Sequence, residues 1–592
     1  MYRRNISVCL VSCKEDMRCE VRVRTESGWI CGKRRVGDYG IEYVSFRGIP
    51  YAKQPVGRLR FQELRATPPW DHDLDTTEER AVCPQHDEIY SRLMKPLQGM
   101  SEACIYANVH VPIGKAELDH GEGRKYLHAD RHEEFAYTED RGFPILVYIH
   151  GGAFRAGSGD ADLNGPEYLV SRDVVVITFN YRINVFGFLY LNNPLIPGNQ
   201  GLRDQVTLLR WVQRNARAFG GDPTNVTLMG QSAGAASAHL LSLSKVTDGL
   251  FQRVILSSGT ATPGFYTTSP LYSKAVAALF LTELGINSTD PIEIHEHLVT
   301  MPLNKILLAN SRVQYMTGLV SFVPVEETPF KGVTRVLDDD PVELIKRRRG
   351  NRYPLMVGMT TAECSLFRPT LEYFDFKRRI ETNPTLLLRP RIVYRTPPTA
   401  TQQLARRSIR KYFKRRFTYD EYERSCSETL FVYPAFQLAN LRATTDGAPV
   451  FLYQYAYKSQ LNFVQESAWI NYNGTVHTED LVQIFKPNAF IEDIGVDQLP
   501  SRDEQMKNWM TKFVVNFMMC SNPTCSALKA TASLWPEVQQ ETFNYQKIVN
   551  PEEYLNVGPT LQQWDTIEFN EYVERESRCA FNLQSTASSA HW

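Results

Sequence analysis

Four short apolar runs constrain the fold of this 592-residue chain more than any other feature of its sequence. The runs occupy residues 145–149, 174–179, 225–229 and 254–256. Strands that are apolar on both faces are typical of a parallel sheet covered by helices. Between the second and third runs, residues 202–218 place apolar side chains at helical spacing, and Gly220 and Gly221 end the pattern. A strand, a crossover helix and a second strand form a right-handed β-α-β unit, which predicts the α/β class.

The composition gives the chain no electrostatic preference for a charged partner. Its 66 basic and 66 acidic residues give a formal net charge of +0 at pH 7, so neither nucleic acid nor an anionic membrane is expected as a partner. No apolar run approaches the ~20 residues that are needed to cross a bilayer. The basic segment 404–417 has apolar residues at helical spacing, and we interpret it as an amphipathic helix with a solvated cationic face. The sequence does not indicate an oligomeric state.

The chain shows no internal repeat and no linker long enough to separate independent domains. Residues 114–142 are polar, charged and poor in apolar side chains, which predicts a long surface loop. Residues 1–13 combine a basic end with an apolar stretch of only seven or eight residues, and no clean small-residue cleavage site follows. This leader is either an incomplete export signal or no signal at all.

The sequence Gly-Gln-Ser-Ala-Gly over residues 230–234 directly follows the third apolar run and precedes a helix of small residues. This is the context of a nucleophile elbow, in which a sharp turn between strand and helix exposes a serine at the edge of the sheet. The flanking Gly230 and Gly234 are needed where a side chain would collide with neighbouring backbone. A five-residue match alone is common by chance, but the strand before it and the helix after it make chance far less frequent. Ser232 is therefore the candidate nucleophile.

A serine hydroxyl needs a base that removes its proton, and it needs hydrogen-bond donors where negative charge develops on the carbonyl oxygen. The sequence His-Gly-Gly-Ala-Phe over 150–154 ends the first apolar run, which is where the oxyanion loop of such a fold lies. The backbone N–H groups of Gly152, Ala153 and Ala233 are the candidate donors. An ordinary Gly-Gly turn would explain this loop alone, but it would not explain the loop together with the elbow.

Several longer motifs resemble those of the carboxylesterase/cholinesterase family, also called type-B carboxylesterases. They read Phe-Arg-Gly-Ile-Pro-Tyr-Ala over 46–52, Pro-Val-Gly-Arg-Leu-Arg-Phe over 55–61, Ser-Glu-Ala-Cys-Ile-Tyr over 101–106, Gly-Asn-Gln-Gly-Leu-Arg-Asp-Gln over 198–205 and Phe-Gly-Gly-Asp-Pro over 219–223. The stretch 180–188 is most similar to insect esterases. The resemblance implies an α/β-hydrolase fold, with helices on both faces of a large, mostly parallel sheet. It divides the chain into an N-terminal leader or extension (1–20), one carboxylesterase domain (21–581) and a C-terminal tail (582–592).

The resemblance also places two further catalytic residues. The sequence Gly-Met-Thr-Thr-Ala-Glu-Cys-Ser over 358–365 is similar to the family's acid motif and assigns the acid to Glu363. The sequence Gly-Thr-Val-His-Thr-Glu-Asp-Leu over 474–481 is similar to its histidine motif and assigns the base to His477. The order serine, acid, histidine is the one this fold uses. The resemblance thus implies a serine carboxylesterase that forms an acyl-enzyme on Ser232 from a small-molecule ester. His477 would be its general base and Glu363 the acid that orients the base, with no metal and no organic cofactor.

Structural pairs follow from the same resemblance. Cys83 and Cys104 match the family's first disulfide loop, and the expected internal salt bridges are Arg60 with Glu102 and Arg182 with Asp204. Cys579 is similar to a C-terminal cysteine of the family, but Tyr433 stands at the usual partner position, so its pairing is open. Cys364 stands where family members often have glycine.

The location of the protein stays open between the secretory route and the cytoplasm. The Cys83/Cys104 pair and the N-glycosylation sequons at Asn287 and Asn473 favour secretion, whereas the weak leader does not. Two further sequons lie at Asn5 and at Asn225, and the second falls in a predicted buried strand that is unsuited to a glycan.

Alternative functions can be weighed on single residues. A non-catalytic adhesion relative would lack the serine or the histidine, and both are present here. A cholinesterase carries a tryptophan about ten residues before the second cysteine of the first loop and binds quaternary ammonium through it, but residues 91–95 read Ser-Arg-Leu-Met-Lys. The elbow with Gln231 is similar to that of juvenile hormone esterases, although other insect esterases share it. The sequence therefore predicts a xenobiotic, hormone or odorant ester as substrate and does not choose among them.

Overall fold

The computed structural model describes residues 19–86, 98–113, 142–262, 265–318, 321–414, 417–496, 498–525, 535–540, 542–551 and 553–589. Several predictions therefore lie outside the described residues. They concern the leader at 1–13, the sequon at Asn5, the stretch 91–95 and all but one residue of the predicted loop at 114–142.

The strands of the described residues are β1 (Val21–Thr25), β2 (Gly28–Val36), β3 (Glu42–Pro50), β4 (Leu74–Asp75), β5 (Tyr106–Pro112), β6 (Phe143–Ile149), β7 (Val175–Phe179), β8 (Gly221–Gln231), β9 (Arg253–Ser257), β10 (Leu355–Thr360), β11 (Val450–Tyr455), β12 (Tyr545–Asn550) and β13 (Glu553–Val557). They form one 13-stranded sheet in the order β1-β2-β3-β5-β7-β6-β8-β9-β10-β11-β12-β13, with β4 paired to β2. The strands from β7 to β12 in this order are parallel. The pairs at both edges are antiparallel.

The four apolar runs of the sequence form β6, β7, β8 and β9, which are neighbours at the centre of the sheet. Leu146 on β6 is in register with Val176 on one side and with Thr227 on the other, and all three are buried. Every residue of β6 and of β7 is buried, and because successive side chains of a strand point to opposite faces, both faces of the sheet are covered here, as apolar runs without alternation predict. The prediction of the α/β class is confirmed.

The α-helices of the described residues are α1 (Glu167–Val170), α2 (Asn184–Phe188), α3 (Gln200–Asn215), α4 (Ala233–Leu243), α5 (Pro270–Glu283), α6 (Pro291–Thr300), α7 (Leu303–Thr317), α8 (Pro341–Lys346), α9 (Arg368–Tyr373), α10 (Phe376–Thr382), α11 (Pro390–Arg395), α12 (Pro398–Tyr412), α13 (Tyr419–Ser427), α14 (Tyr433–Ala443), α15 (Phe463–Ser467), α16 (Asn488–Ile494), α17 (Ser501–Cys520) and α18 (Leu561–Ser589). None of these helices is long and apolar enough to span a bilayer.

Two predicted helices can be compared with these bounds. The crossover helix is α3, followed by a 3-10 turn over Ala216–Phe219 that ends at Gly220 with a φ of 72°. The helix predicted at 404–417 was placed too far along the chain, because α12 ends at Tyr412 and the backbone of Phe413 is extended. α12 begins at Pro398, whose fixed φ suits the first turn of a helix. The terminal helix α18 runs continuously past residue 581.

Disulfides and buried ion pairs connect the loops around the sheet. The expected bond Cys83–Cys104 is present, and three more join Cys19–Cys31, Cys364–Cys426 and Cys520–Cys525. Cys579 is free and exposed. Both expected salt bridges form with buried or nearly buried partners, at 2.5 Å for Arg60–Glu102 and 2.6 Å for Arg182–Asp204. Removing one partner of such a pair typically costs about 3–5 kcal/mol, because the other charge stays buried alone.

Candidate active site

Ser232 lies in the sharp turn between β8 and α4, at the carboxyl ends of the central parallel strands. Its φ of 57° and ψ of −123° are outside the usual regions for a residue with a side chain, and such strain clusters at functional sites. A Cβ atom on Gly230 would come within 2.1 Å of the Gly234 carbonyl oxygen, and one on Gly234 within 2.0 Å of the Ile149 carbonyl oxygen. The turn therefore requires both flanking glycines, as predicted.

The predicted oxyanion loop follows β6, the sheet neighbour of β8. A Cβ atom on Gly151 would lie 3.1 Å from the Cβ of Ser232, so the loop packs directly against the elbow. Gly152 and Ala153 have φ values of 105° and 54°, which turn the loop sharply. Within the described part of the chain, no protein acceptor takes a hydrogen bond from the N–H of Gly152, Ala153 or Ala233. These three groups are free to donate to a substrate oxygen.

Glu363 and His477 form a buried pair beside the elbow. Glu363 follows β10, and an isolated bridge between Ala362 and Val476 holds the histidine loop against it. The Nδ1 of His477 donates to Oε2 of Glu363 over 2.5 Å. The second carboxylate oxygen, Oε1, accepts from the Ser258 hydroxyl at 2.8 Å and from the Thr360 N–H at 2.7 Å. The carboxylate is thus oriented by three donors at once.

The remaining ring nitrogen of His477 is engaged by Gln231 instead of Ser232. The Gln231 amide Nε2 donates to His477 Nε2 over 3.0 Å, which fits the tautomer with its proton on Nδ1. The Oγ of Ser232 lies 3.1 Å from the Tyr266 hydroxyl, its sole side-chain partner among the described residues. The structure therefore brings the three predicted residues together, but Ser232 and His477 are not hydrogen-bonded to each other. Tyr266 is instead the partner of the Ser232 hydroxyl, and Gln231 is the partner of His477 Nε2.

Burial sets the protonation of the other polar side chains around Ser232. It lowers the pKa of His150 to about 4, so this imidazole is neutral at pH 7 and stacks on Tyr181 at 4.4 Å. Burial also raises the pKa of Tyr266, which keeps the phenol protonated. The pKa of Asp480 is raised, mainly by burial. Its Oδ2 accepts from the Ser257 and Tyr453 hydroxyls at 2.7 Å each.

Aromatic rings surround the reacting groups. Phe367 and Phe431 lie 5.4 and 5.1 Å from the His477 ring, and Phe154 lies 6.3 Å from Tyr266. Phe431 belongs to a short π-helix, Glu428–Val432, a rare element that is frequent at functional sites. An apolar wall of this kind favours an apolar ester over a charged one.

Sequence reasoning missed several residues that shape this site. Ser258 could have been found, because it follows the apolar run of β9, and strand ends meet at one edge of a parallel sheet. Tyr266 lies in a loop without a local motif, and no local pattern pointed to it. The bond from Cys364 to Cys426 fixes the segment beside Glu363 onto α13, and the Cys364 N–H donates to Ser427 at 2.9 Å. Cys364, which forms this bond, stands where family members often have glycine.

The arrangement is chemically complete for acyl transfer. A hydroxyl on a strained turn, an imidazole whose acceptor nitrogen is held by the Gln231 amide, a carboxylate that orients this imidazole and three open N–H donors meet at one edge of the sheet.

Comparisons with known proteins agree with this chemistry. A model of the carboxylesterase family matches residues 20–566. The chain is 47% identical to a juvenile hormone esterase of Heliothis virescens over 92% of each chain. The crystal structure of juvenile hormone esterase from Manduca sexta, with OTFP covalently attached, superposes with a TM-score of 0.86 at 46% identity, covering 94% of this chain and 99% of that one. A structure of PNB esterase gives a TM-score of 0.72 at 26% identity, with 92% and 99% covered.

Proposed function

Because this chain belongs to the carboxylesterase family and hydrolyses carboxylic esters, we propose that Ser232 is its nucleophile, His477 its general base and Glu363 the acid that orients the base. The fold is the α/β-hydrolase fold, and the ester substrate is a small molecule. The observation that carries the assignment is the His477–Glu363 hydrogen bond beside the strained Ser232. A non-catalytic relative would have no need to maintain either feature.

The reaction begins with a local rearrangement. Ser232 Oγ leaves Tyr266, and the Gln231 amide leaves Nε2 of His477, so that the serine hydroxyl can donate to that nitrogen. Oγ then bonds to the ester carbonyl carbon while its proton passes to Nε2. The carbonyl oxygen becomes an oxyanion and accepts from the N–H groups of Gly152, Ala153 and Ala233.

Collapse of this intermediate breaks the ester bond. The departing alcohol takes the proton from His477, and the acyl group remains on Ser232. Water then gives a proton to the same Nε2 and attacks the acyl carbonyl. His477 returns this proton to Oγ of Ser232 as the bond between Oγ and the acyl carbon breaks, which releases the carboxylic acid and restores the serine. Glu363 stabilises the imidazolium in both halves without taking its proton.

Juvenile hormone is the substrate that we propose for this site. Two observations support it: the close similarity to two juvenile hormone esterases, and an aromatic wall around His477 and Tyr266 that suits an apolar ester. The Gly-Gln-Ser-Ala-Gly elbow is consistent with it. The second candidate is a general detoxifying esterase, which the same aromatic wall would also serve.

A comparison of substrates separates these two candidates. We expect kcat/KM for juvenile hormone to exceed that for acetate esters and short p-nitrophenyl esters by at least tenfold. Each methylene buried in an apolar pocket contributes about 0.8 kcal/mol, which is roughly fourfold in kcat/KM. Equal values across the panel would favour the detoxifying esterase, and hydrolysis of none of the esters would contradict both.

Tyr266→Phe tests the role of the contact between Tyr266 and Ser232. The substitution removes one hydrogen bond that holds Oγ away from His477, worth about 1 kcal/mol. We expect Ser232 to react about fivefold faster with an organophosphate, measured as the second-order rate constant of inactivation. Tyr545→Phe, which removes another buried tyrosine hydroxyl with a partner at 3.2 Å, should leave that rate unchanged. A slower reaction in Tyr266→Phe would instead mean that the phenol stabilises the transition state.

We also propose that the protein enters the secretory route. Four disulfides among the described residues favour an oxidising compartment. Asn287 and Asn473 are exposed and could carry glycans, whereas Asn225 is only half-exposed and accepts a hydrogen bond from Arg253 within the sheet. Mass spectrometry of the protein from a secreting cell would detect glycan on either exposed asparagine.

A further inference from the structure

A cleft of about 60 Å³ opens beside α11 and α18, with a wall that no step of ester hydrolysis uses. The ionisable side chains that line it are Arg389, Arg391, Arg395, Arg578 and Glu574. Four guanidinium groups thus face one carboxylate across the cleft. Such a lining is unusual for a buried or half-buried cavity, because like charges repel most strongly where water is scarce.

Each of the four guanidinium groups contacts a carboxylate, but these carboxylates are fewer than the guanidinium groups. Glu574 pairs with Arg389 at 2.9 Å and with Arg578 at 3.2 Å. Behind the wall, Asp340 contacts both Arg391 and Arg395, and Glu326 lies 2.9 Å from Arg395. Among the described residues, three carboxylates therefore share four cations.

Arg389 is the arginine of the cleft wall whose guanidinium group has a donor without an acceptor. Its side chain is 3% exposed and its Nη1 is committed to Glu574, but its Nη2 is buried without any hydrogen-bond partner. The Tyr433 ring lies 5.4 Å from the guanidinium carbon and helps to hold the group in place. A buried donor without an acceptor is costly, so it marks a position where an acceptor is expected.

Arg391 and one hydroxyl support the same interpretation. Burial and the charge of Arg395 lower the pKa of Arg391 to about 10, a cost that a bound anion would relieve. The hydroxyl of Ser577 also lines the cleft; it is hydrogen-bonded to Thr396 and can donate to an oxyanion when the Thr396 hydroxyl donates to it, whereas the Thr262 hydroxyl already donates to the Pro434 carbonyl oxygen. Four guanidinium groups, an unpaired N–H donor and a hydroxyl group therefore lie at the same cleft.

We propose that this cleft binds a small oxoanion, either a carboxylate or a phosphate group, at a site separate from the ester site. Planar guanidinium groups match the paired oxygens of both anions, and residues of α11 and α18 line the same cleft. The proposal does not depend on which ester the enzyme hydrolyses.

The experiment uses the full-length protein at constant ionic strength, with sodium chloride replaced stepwise by sodium phosphate or, in a second series, by sodium butyrate. We expect the Tm to rise with a saturable dependence on at least one of the two anions, and calorimetric titration to give a single site. Tighter binding of phosphate would identify the ligand group as a phosphate, and tighter binding of butyrate would identify it as a carboxylate.

Three variants show whether the cleft is responsible. Arg389→Gln should weaken the Kd at least tenfold, and Ser577→Ala, which leaves every ion pair intact, should weaken it about threefold. Arg58→Gln removes an exposed arginine paired with Glu296 and should bind like the wild type. Should Arg389→Gln fail to fold, Ser577→Ala alone decides. No saturable rise with either anion, or equal binding by wild type and both cleft variants, would overturn the proposal.

Discussion

Replacing Ser232 with alanine is expected to lower kcat for every ester substrate by about 10,000-fold or more. Without Oγ no acyl-enzyme can form, and only the oxyanion donors and substrate binding remain to assist direct attack by water. The change removes one oxygen atom and leaves Cβ in place, so the strained turn at φ 57° meets no new collision. The measurement is steady-state hydrolysis together with covalent labelling by an organophosphate, which should mark the wild type and not the variant.

Ser242→Ala is the matched control for this experiment. Ser242 lies on α4, the helix that begins at the elbow, and its buried hydroxyl donates to the His239 carbonyl at 2.7 Å. It should keep wild-type kcat and lose only about 1 kcal/mol of stability. Full turnover by Ser232→Ala would remove Ser232 from the mechanism. A folded wild-type protein that cannot be labelled would point to the non-catalytic adhesion class instead.

The centre of the sheet could be predicted from the sequence because strands that are buried on both faces have apolar residues at successive positions, and this pattern is visible within a few residues. The runs that form β6, β7 and β9 are mostly apolar without alternation, and the helix between β7 and β8 has its own period. The antiparallel edges were not predicted. Strands such as β1 alternate between buried and exposed residues, and their pairing depends on partners distant in the chain.

The residues of the candidate site also differ in whether a local sequence pattern reveals them. The elbow and the oxyanion loop were derivable because a strand end, a glycine and a helix start are adjacent in sequence. Glu363 and His477 needed the family resemblance, since nothing near either residue indicates that β10 and the loop after β11 bring them together. The contacts of Gln231 and Tyr266 could not be predicted, because they join residues that are distant in the chain and depend on how the side chains between them pack.

A Glu363→Gln variant is expected to lose activity nearly as severely, by about 10,000-fold in kcat. The reason lies in the hydrogen bonds around the carboxylate. Oε1 accepts from the Thr360 N–H and the Ser258 hydroxyl, so an amide at this position keeps its oxygen on that side and turns its NH₂ toward His477. An NH₂ group cannot accept from Nδ1. The imidazole must then carry its proton on Nε2, where the proton of Ser232 would otherwise go.

This tautomer argument separates Glu363 from a merely structural acid. Glu423→Gln is the matched control, because Glu423 is buried nearby on α13 and accepts from the Ser365 hydroxyl at 2.8 Å without touching His477. It should lower the Tm and leave kcat within about threefold. Glu363→Gln should lower kcat with little change in KM, since ester binding does not involve the carboxylate, and Ser232 should also label far more slowly. If Glu363→Gln kept wild-type kcat, or if Glu423→Gln lost as much, Glu363 would be only a structural residue, and another group would have to orient His477.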